Sequence, residues 1–273
     1  MVNIKVIFSD IDGTLLNSNH QITNCTKKTI KKVVQKGIEF ILISARMPSG
    51  MKSIYNDLDI MSPLICYNGA LILENPEVNE NNKILYSATI SKKDTNKIYH
   101  NIKRKFSNLS FNLFSFDQWM VENKEDKWIK QESKIIKVQP KEVNIKNFIT
   151  QDEGVHKILC MGEPHLISEL ESKINSSLLD VCCYLSKDEY LEITSINASK
   201  MLSIKALQSY FSVKHEEVMA IGDNFNDLAM IEYAGIGVAM GNAPKQVKEA
   251  SDFVTKSNDQ DGMKLALETF ILS

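Results

Sequence analysis

Four aspartates stand in two pairs in opposite halves of the chain, Asp10 with Asp12 and Asp223 with Asp227. Each pair follows a short apolar run. Ile4-Lys5-Val6-Ile7-Phe8 leads into Asp10-Ile11-Asp12-Gly13-Thr14, and Val218-Met219-Ala220-Ile221 leads into Gly222-Asp223-Asn224-Phe225-Asn226-Asp227. Short, β-branched runs bounded by Gly read as buried strands. Residues i and i+2 of an extended chain share a side, so Asp10 and Asp12 are expected to leave the strand end together. Gly13 permits the turn that follows. Adjacent carboxylates repel unless a cation or a shared proton compensates, and a Mg²⁺ ion with a phosphate ester meets that requirement. Taken alone, the first pair is also a plain turn, since Asp and Gly are common turn formers.

The elements around these pairs alternate. Ile22, Ile30, Val33 and Val34 have helical spacing, with Gly37 as a stop. Ile38 to Ile43 reads as a buried strand ending at Ser44, and Pro48 suits the first turn of a helix. Leu64 to Tyr67 is a third strand, and Asn68-Gly69 signals a hairpin into Ala70 to Leu73. From Ser199 the alternation resumes. A helix to Tyr210, the strand to Ile221, a helix after Asn226, a strand over Gly237 to Met240, a helix from Pro244 and a last amphipathic helix after Asp261-Gly262 follow in turn. This pattern predicts an α/β fold with a doubly wound, mainly parallel sheet. Ligands bind outside the carboxyl ends of strands in such sheets, so the two acidic clusters can converge there.

The middle third differs. Glu74 to Lys83 is polar and reads as a loop, and Ser91-Lys92-Lys93-Asp94 looks like a capping box for a helix to about Lys105. Strand patterns lie near Phe111 to Phe116, Trp119 to Glu122, His156 to Met161, Val181 to Leu185 and Tyr190 to Thr194, with a helix over Leu166 to Leu178. This is an α+β mixture inserted into the alternating part. The expected division is a core of residues 1–83 and 191–273 and an inserted α+β domain of residues 84–190. Phe111, Phe114, Phe116, Trp119 and Trp128 supply its core or face a ligand.

Composition narrows the function classes. At 273 residues two domains are expected, and 43% apolar residues are enough for a sizeable core. No run approaches the ~18 apolar residues of a membrane span. Asp10 and Asp12 interrupt the one early apolar stretch, against a signal peptide. A net charge of −2 gives no global field for nucleic acid, and the basic face of Lys27, Lys28, Lys31 and Lys32 reads as solvated surface. The five cysteines form no C-x-x-C pair, so neither a disulfide framework nor a zinc site is expected. A reducing, cytoplasmic setting fits. No histidine sits in a Ser or Cys nucleophile motif.

In their order, Asp10-x-Asp12-Gly13-Thr14, Ser44, Lys200 and Gly222-Asp223-x-x-Asn226-Asp227 resemble the haloacid dehalogenase superfamily of aspartate-nucleophile phosphatases. The resemblance is closest to the Cof-type branch, whose members carry a large cap. The tail Ala234-Gly235-Ile236-Gly237-Val238-Ala239-Met240-Gly241-Asn242-Ala243 agrees. The resemblance implies a Mg²⁺-dependent phosphomonoester hydrolase acting on small phosphorylated metabolites such as sugar phosphates, without nucleic acid or membrane partners. Asp10 would be the nucleophile, forming an aspartyl phosphate. Asp12 would protonate the leaving oxygen and then take a proton from water. Asp10, the backbone carbonyl of Asp12 and the carboxylate of Asp223 would bind the metal. Asp227 would orient a metal water or Lys200 from behind. Ser44, with the N–H groups of Ala45 and Arg46, would hold phosphoryl oxygens, and Arg46 would reach phosphate or substrate. Lys200 would hold nucleophile and phosphate together, and Asn226 would contact phosphate or substrate.

Ser44-Ala45 departs from the family's common Thr-Gly, and Ala198 and Met201 stand where relatives often carry Gly. The alternatives are a phosphosugar mutase with the same aspartyl-phosphate chemistry and a non-catalytic phospholigand-binding protein.

Overall fold

The computed structural model describes residues 3–77, 82–151 and 154–272. In chain order the elements open with β1 (Val6–Asp10), α1 (Asn24–Gln35), β2 (Glu39–Ile43), α2 (Ser49–Leu58), β3 (Leu64–Cys66), β4 (Leu71–Leu73) and β5 (Ile84–Ser87). There follow α3 (Lys92–Lys105), β6 (Ser110–Ser115), β7 (Gln118–Val121), α4 (Lys127–Ile136), β8 (Lys141–Glu142), α5 (Ile145–Thr150), β9 (Lys157–Met161), α6 (Pro164–Asn175), β10 (Val181–Lys187) and β11 (Tyr190–Ser195). The chain closes with α7 (Lys200–Phe211), β12 (Val218–Gly222), α8 (Leu228–Tyr233), β13 (Ile236–Ala239), α9 (Lys245–Glu249), β14 (Phe253–Val254) and α10 (Gly262–Leu267). Two compact units result. The first comprises Met1–Ala45, Met51–Tyr86 and Ser199–Ser273, and the second Arg46–Gly50 and Ser87–Ala198. No helix of the described residues is long and apolar enough to cross a membrane.

The first unit holds an eight-stranded sheet ordered β14-β13-β12-β1-β2-β3-β4-β5. Its central pairs are parallel: β1 with β2 and with β12, β12 with β13, β13 with β14 and β2 with β3. β3 and β4 pair antiparallel through the Tyr67–Gly69 turn, where Asn68 has φ 53°. The strands carry no hydrophobic–polar alternation because helices cover both faces of a parallel sheet. Ile7, Phe8, Ile41, Leu42, Ile43 and Ile221 are all 0% exposed. Burying one such side chain contributes about 1.5–3 kcal/mol. Register fixes the strand ends: Asp10 lies beside Ile43, and Ser9 beside Ile221. The residues just beyond β1, β2 and β12 therefore emerge side by side at the carboxyl edge.

The second unit is built on a six-stranded sheet, β10-β11-β9-β6-β7-β8, antiparallel except for β7 with β8. One face buries Phe111, Leu113, Ile158, Cys160, Leu191 and Ile193 in a core shared with α3, α5 and α6. Alternation puts Asn112, Phe114, Lys157 and Glu192 on the other face. There Lys157 Nζ meets Glu192 Oε2 at 3.2 Å, Tyr184 donates to the same oxygen at 2.6 Å, and Phe114 stacks on Trp119 at 5.9 Å.

Several expectations shift here. The compact units divide at Tyr86/Ser87 and Ala198/Ser199 rather than at 83/84 and 190/191. β5 belongs to the edge of the larger sheet, where Leu85 and Tyr86 are only partly buried and leave little sequence signature. β11 pairs between β9 and β10, with Leu191 and Ile193 in the second core. Helices α4 and α5 were not expected. α4 is read in hindsight from Asp126, whose Oδ1 accepts from Trp128 N and Ile129 N. The Ser91 cap is also not a full capping box: Ser91 Oγ accepts from Asp94 N at 3.0 Å and donates to Asp94 Oδ2 at 2.8 Å. Residues 78–81 of the expected polar loop lie outside the described residues.

His156 is fully buried in the second unit. Phe116 N donates to its Nδ1 at 3.1 Å, so the remaining ring proton sits on Nε2, facing Ser87 Oγ at 3.1 Å. Burial pushes its pKa down to about 4. The unfolded chain takes up a proton near the ordinary value of about 6.5, while the native chain does not until about pH 4. Stability is therefore full above pH 6.5 and falls as pH drops toward 4, by on the order of 3 kcal/mol from this group. Urea midpoints for the wild type and His156→Gln at pH 7.5 and pH 4.5 check this. The variant should lose less on acidification; equal losses would remove His156 as the cause.

Candidate active site

The site is assembled from strand ends. Asp10 is the last residue of β1 and is 7% exposed. The chain turns immediately after it, so the expectation that Asp12 continues an extended strand fails. Ile11 is in a turn, and Asp12, in a bridge with Leu16, is exposed. Gly13 has φ +87°, a left-handed conformation favoured by glycine. A Cβ there would lie 2.3 Å from Asp223 Oδ2, so the two loops touch at a residue that must lack a side chain. Thr14 Oγ1 donates to Asp223 Oδ1 at 2.7 Å.

Lys200 joins the clusters. It is the first residue of α7, whose cap is Ser199 Oγ accepting from Leu202 N at 3.1 Å. The Lys200 side chain is fully buried, and Nζ lies 2.5 Å from both Asp10 Oδ1 and Asp227 Oδ1. Asp227 Oδ2 accepts from Asp223 N at 2.9 Å and Asn224 N at 3.0 Å. This bends the chain after β12 into the short turn Phe225–Asp227 before α8. Gly222 permits the bend's closeness, since a Cβ there would meet Asp227 Cβ at 2.5 Å.

Asp10, Asp223 and Asp227 each offer an oxygen within 4.8 Å of the others. Burial, and then the neighbouring Asp227 and Asp223 charges, raise Asp10 well above the usual carboxylate range despite Lys200. Burial with Asp227 likewise pushes Asp223 up to about 6, against the Thr14 hydrogen bond. Burial alone would lower Lys200, but Asp10 and Asp227 outweigh it and hold its pKa above the ordinary lysine value. Three carboxylates against one ammonium leave two formal negative charges, the charge that one divalent cation would balance. All the donors are oxygens, the set that Mg²⁺ takes.

The other expected site residues are placed as follows. Ser44 is buried just past β2; its N–H donates to Ile65 O at 3.0 Å and its carbonyl accepts from Asn68 N at 2.9 Å. Ala45 follows it at the end of a first-unit segment. Arg46 belongs to the second unit, and its Nη1 donates to Gly50 O at 3.2 Å. Asn226 is exposed and donates through Nδ2 to Asn68 Oδ1 at 3.2 Å. Thr14, Asn68 and Asn242 also contribute, although the sequence pattern marks them only as members of motifs or of a hairpin turn. Their residue types are common turn formers, and only the fold shows what they touch.

The sequence profile of the haloacid dehalogenase-like hydrolases matches residues 7–267. A Haemophilus influenzae protein named "Putative phosphatase" is 36% identical over 97% of this chain and 97% of its own length. A Bacillus subtilis 5-amino-6-(5-phospho-D-ribitylamino)uracil phosphatase is 28% identical, over 99% of this chain and 97% of its own. The crystal structure of a haloacid dehalogenase-like hydrolase from Bacteroides thetaiotaomicron superposes with a TM-score of 0.86 at 30% identity, covering 98% of this chain and 100% of that one. The fold and the carboxylate cluster define a hydrolase with an α/β core and an inserted α+β unit. The chain belongs to the haloacid dehalogenase-like hydrolases, in their Cof-type branch.

Proposed function

We propose that this hydrolase is a Mg²⁺-dependent phosphatase of small phosphomonoesters that works through an aspartyl phosphate on Asp10. The observation that carries the reading is the Lys200 ammonium set 2.5 Å from both Asp10 and Asp227, with Asp223 alongside. Lys200 occupies Asp10 Oδ1, which leaves Oδ2 for attack on phosphorus. Attack forms the Asp10–phosphorus bond and breaks the bond to the leaving oxygen, which takes a proton from Asp12. Water then attacks the phosphoryl group, gives its proton to Asp12, and frees Asp10. Asp12's exposure suits a group that must exchange protons with leaving group and water. Asp10, the Asp12 carbonyl and Asp223 would hold Mg²⁺, which supplies charge neutralisation between nucleophile and phosphate. Asp227, with both oxygens engaged, keeps Lys200 and the Asp223 loop in place. Ser44, with the Ala45 and Arg46 N–H groups, would donate to phosphoryl oxygens, and Asn226 and the Arg46 side chain would reach substrate.

The substrate class rests on chemistry and likeness. A relative named for a phosphoribityl substrate acts on the phosphate ester of a polyol chain. Selection among leaving groups is assigned to the second unit, one face of whose sheet carries the Lys157–Glu192 pair and the Phe114–Trp119 stack. The five cysteines are thiols rather than disulfides, and a reducing, cytoplasmic setting is the proposed location.

A phosphate-release screen over phosphorylated sugars, polyols, nucleotides and cofactors, with Mg²⁺ present, tests the reading. Turnover should require the metal, fall by at least about 10²-fold after chelation, and return on adding Mg²⁺. Undiminished turnover in metal-free protein would refute the metal assignment. An isomerised phosphosugar without free phosphate would indicate a mutase instead.

A further inference from the structure

One hydrogen-bonded relay of the first unit has no part in the chemistry above. Asn242 lies just beyond β13. Its Nδ2 donates to Gly13 O at 2.9 Å and sits 3.4 Å from Asp223 Oδ2. Its Oδ1 accepts from Asn258 N at 3.1 Å. Asn258, in the turn between β14 and α10, donates through its own Nδ2 to Leu16 O at 2.9 Å. The same turn holds Ser18 through Asp259, with Ser18 N at 2.8 Å and Oγ at 2.7 Å from the carboxylate. The relay thus grips the loop after β1 at Gly13, Leu16 and Ser18, and touches the Asp223 carboxylate.

An amide has a donor end and an acceptor end. The Asn258 N–H can only donate, so it holds Asn242 Oδ1 toward itself and Nδ2 toward Gly13 O and Asp223. Flipped by a half turn, the amide would set Oδ1 against a carbonyl and a carboxylate, acceptor against acceptor. Asn242 is exposed, so these bonds and not packing fix its side chain. Thr14 holds the other oxygen of Asp223 at 2.7 Å. The carboxylate is therefore aimed from both sides. Gly13, in contact with Asp223 and between Asp12 and Thr14, is held at its carbonyl by the same amide.

We propose that Asn242, kept in one amide orientation by Asn258, is a positioning residue that presets the Asp223 carboxylate and the Gly13 turn for a divalent cation. The inference rests on the metal reading above. Groups that orient ligands commonly change metal affinity by about 10–100-fold when removed.

Isothermal titration of Mn²⁺ and Mg²⁺ into the metal-free full chain tests it, with urea unfolding of the same metal-free proteins alongside. Asn242→Ala should raise the dissociation constant about ten-fold or more, while the metal-free urea midpoint stays near wild type. Asn258→Pro removes the backbone N–H that Asn242 Oδ1 accepts from, at the first position of a helical turn where proline is tolerated; it keeps the Asn242 side chain but lets it turn over, and should raise the constant by a smaller factor. The double variant should bind no more weakly than Asn242→Ala, because the Asn258 N–H acts on the metal site through Asn242. If Asn242→Ala does not fold, Asn258→Pro carries the test by the same readout. Dissociation constants within two-fold of wild type for the folded variants would overturn the proposal and leave the metal reading standing. Fully additive losses in the double variant would overturn the relay. A wild-type chain that binds neither cation would overturn both readings.

Discussion

Asp10→Asn is expected to reduce phosphate release by at least about 10⁴-fold, since removing a nucleophile costs most of the rate enhancement. The amide is nearly isosteric but a poor nucleophile, and it can still accept from Lys200. Stability should move the other way. The Asp10 carboxyl is held well above its ordinary range by burial first, then by Asp227 and Asp223, so its charged form is disfavoured in the native state at neutral pH. Sign follows: a raised native pKa means that stability from this group is present below the ordinary carboxylate range and lost as pH rises through the native value. A neutral Asn removes that loss, so the melting temperature at pH 7.5 should hold or rise while activity disappears. Rapid-quench mass spectrometry on the wild type should place the phosphoryl adduct on Asp10. An adduct on another residue, or an active Asn variant, would overturn the nucleophile assignment.

Lys200→Met should damage both properties. The side chain is as long and as apolar as the lysine stem but leaves Asp10 and Asp227 facing each other without their shared cation. Removing one partner of a buried ionic cluster typically costs about 3–5 kcal/mol. Catalysis should fall by at least about 10²-fold, because the nucleophile loses the group that orients it and offsets phosphate charge. The stability deficit should narrow as pH falls, because the Asp10 carboxyl, already held well above the usual carboxylate range by burial, takes up a proton and the repulsion fades. Melting curves at pH 7.5 and 4.5, with phosphate release at pH 7.5, check both parts. A variant with wild-type melting and more than a tenth of wild-type turnover would show that Lys200 is peripheral.

The sequence by itself determined the alternating core, the strands that end at Asp10, Ser44 and Asp223, and the inserted α+β unit. Apolar runs such as Val6 to Phe8 and Val218 to Ile221 need burial on both faces, which a parallel sheet between helices supplies. The motif order made Lys200 stand out although no local pattern marks it. The tertiary structure alone decided which groups meet. Thr14 finds Asp223 across 209 residues, and Asn242 finds Gly13 across 229. Such contacts follow from strand register, here β1 between β12 and β2, and register is set by the packing of whole elements, not by the residues that touch. It also set Asp12 outside the buried cluster, because the chain turns directly after Asp10. The edges of the inserted unit escaped for a related reason. β5 is an edge strand with half-exposed side chains, and β11 looks the same whichever sheet receives it. An alternating strand states that one face is buried; only the folded partner strands decide against what.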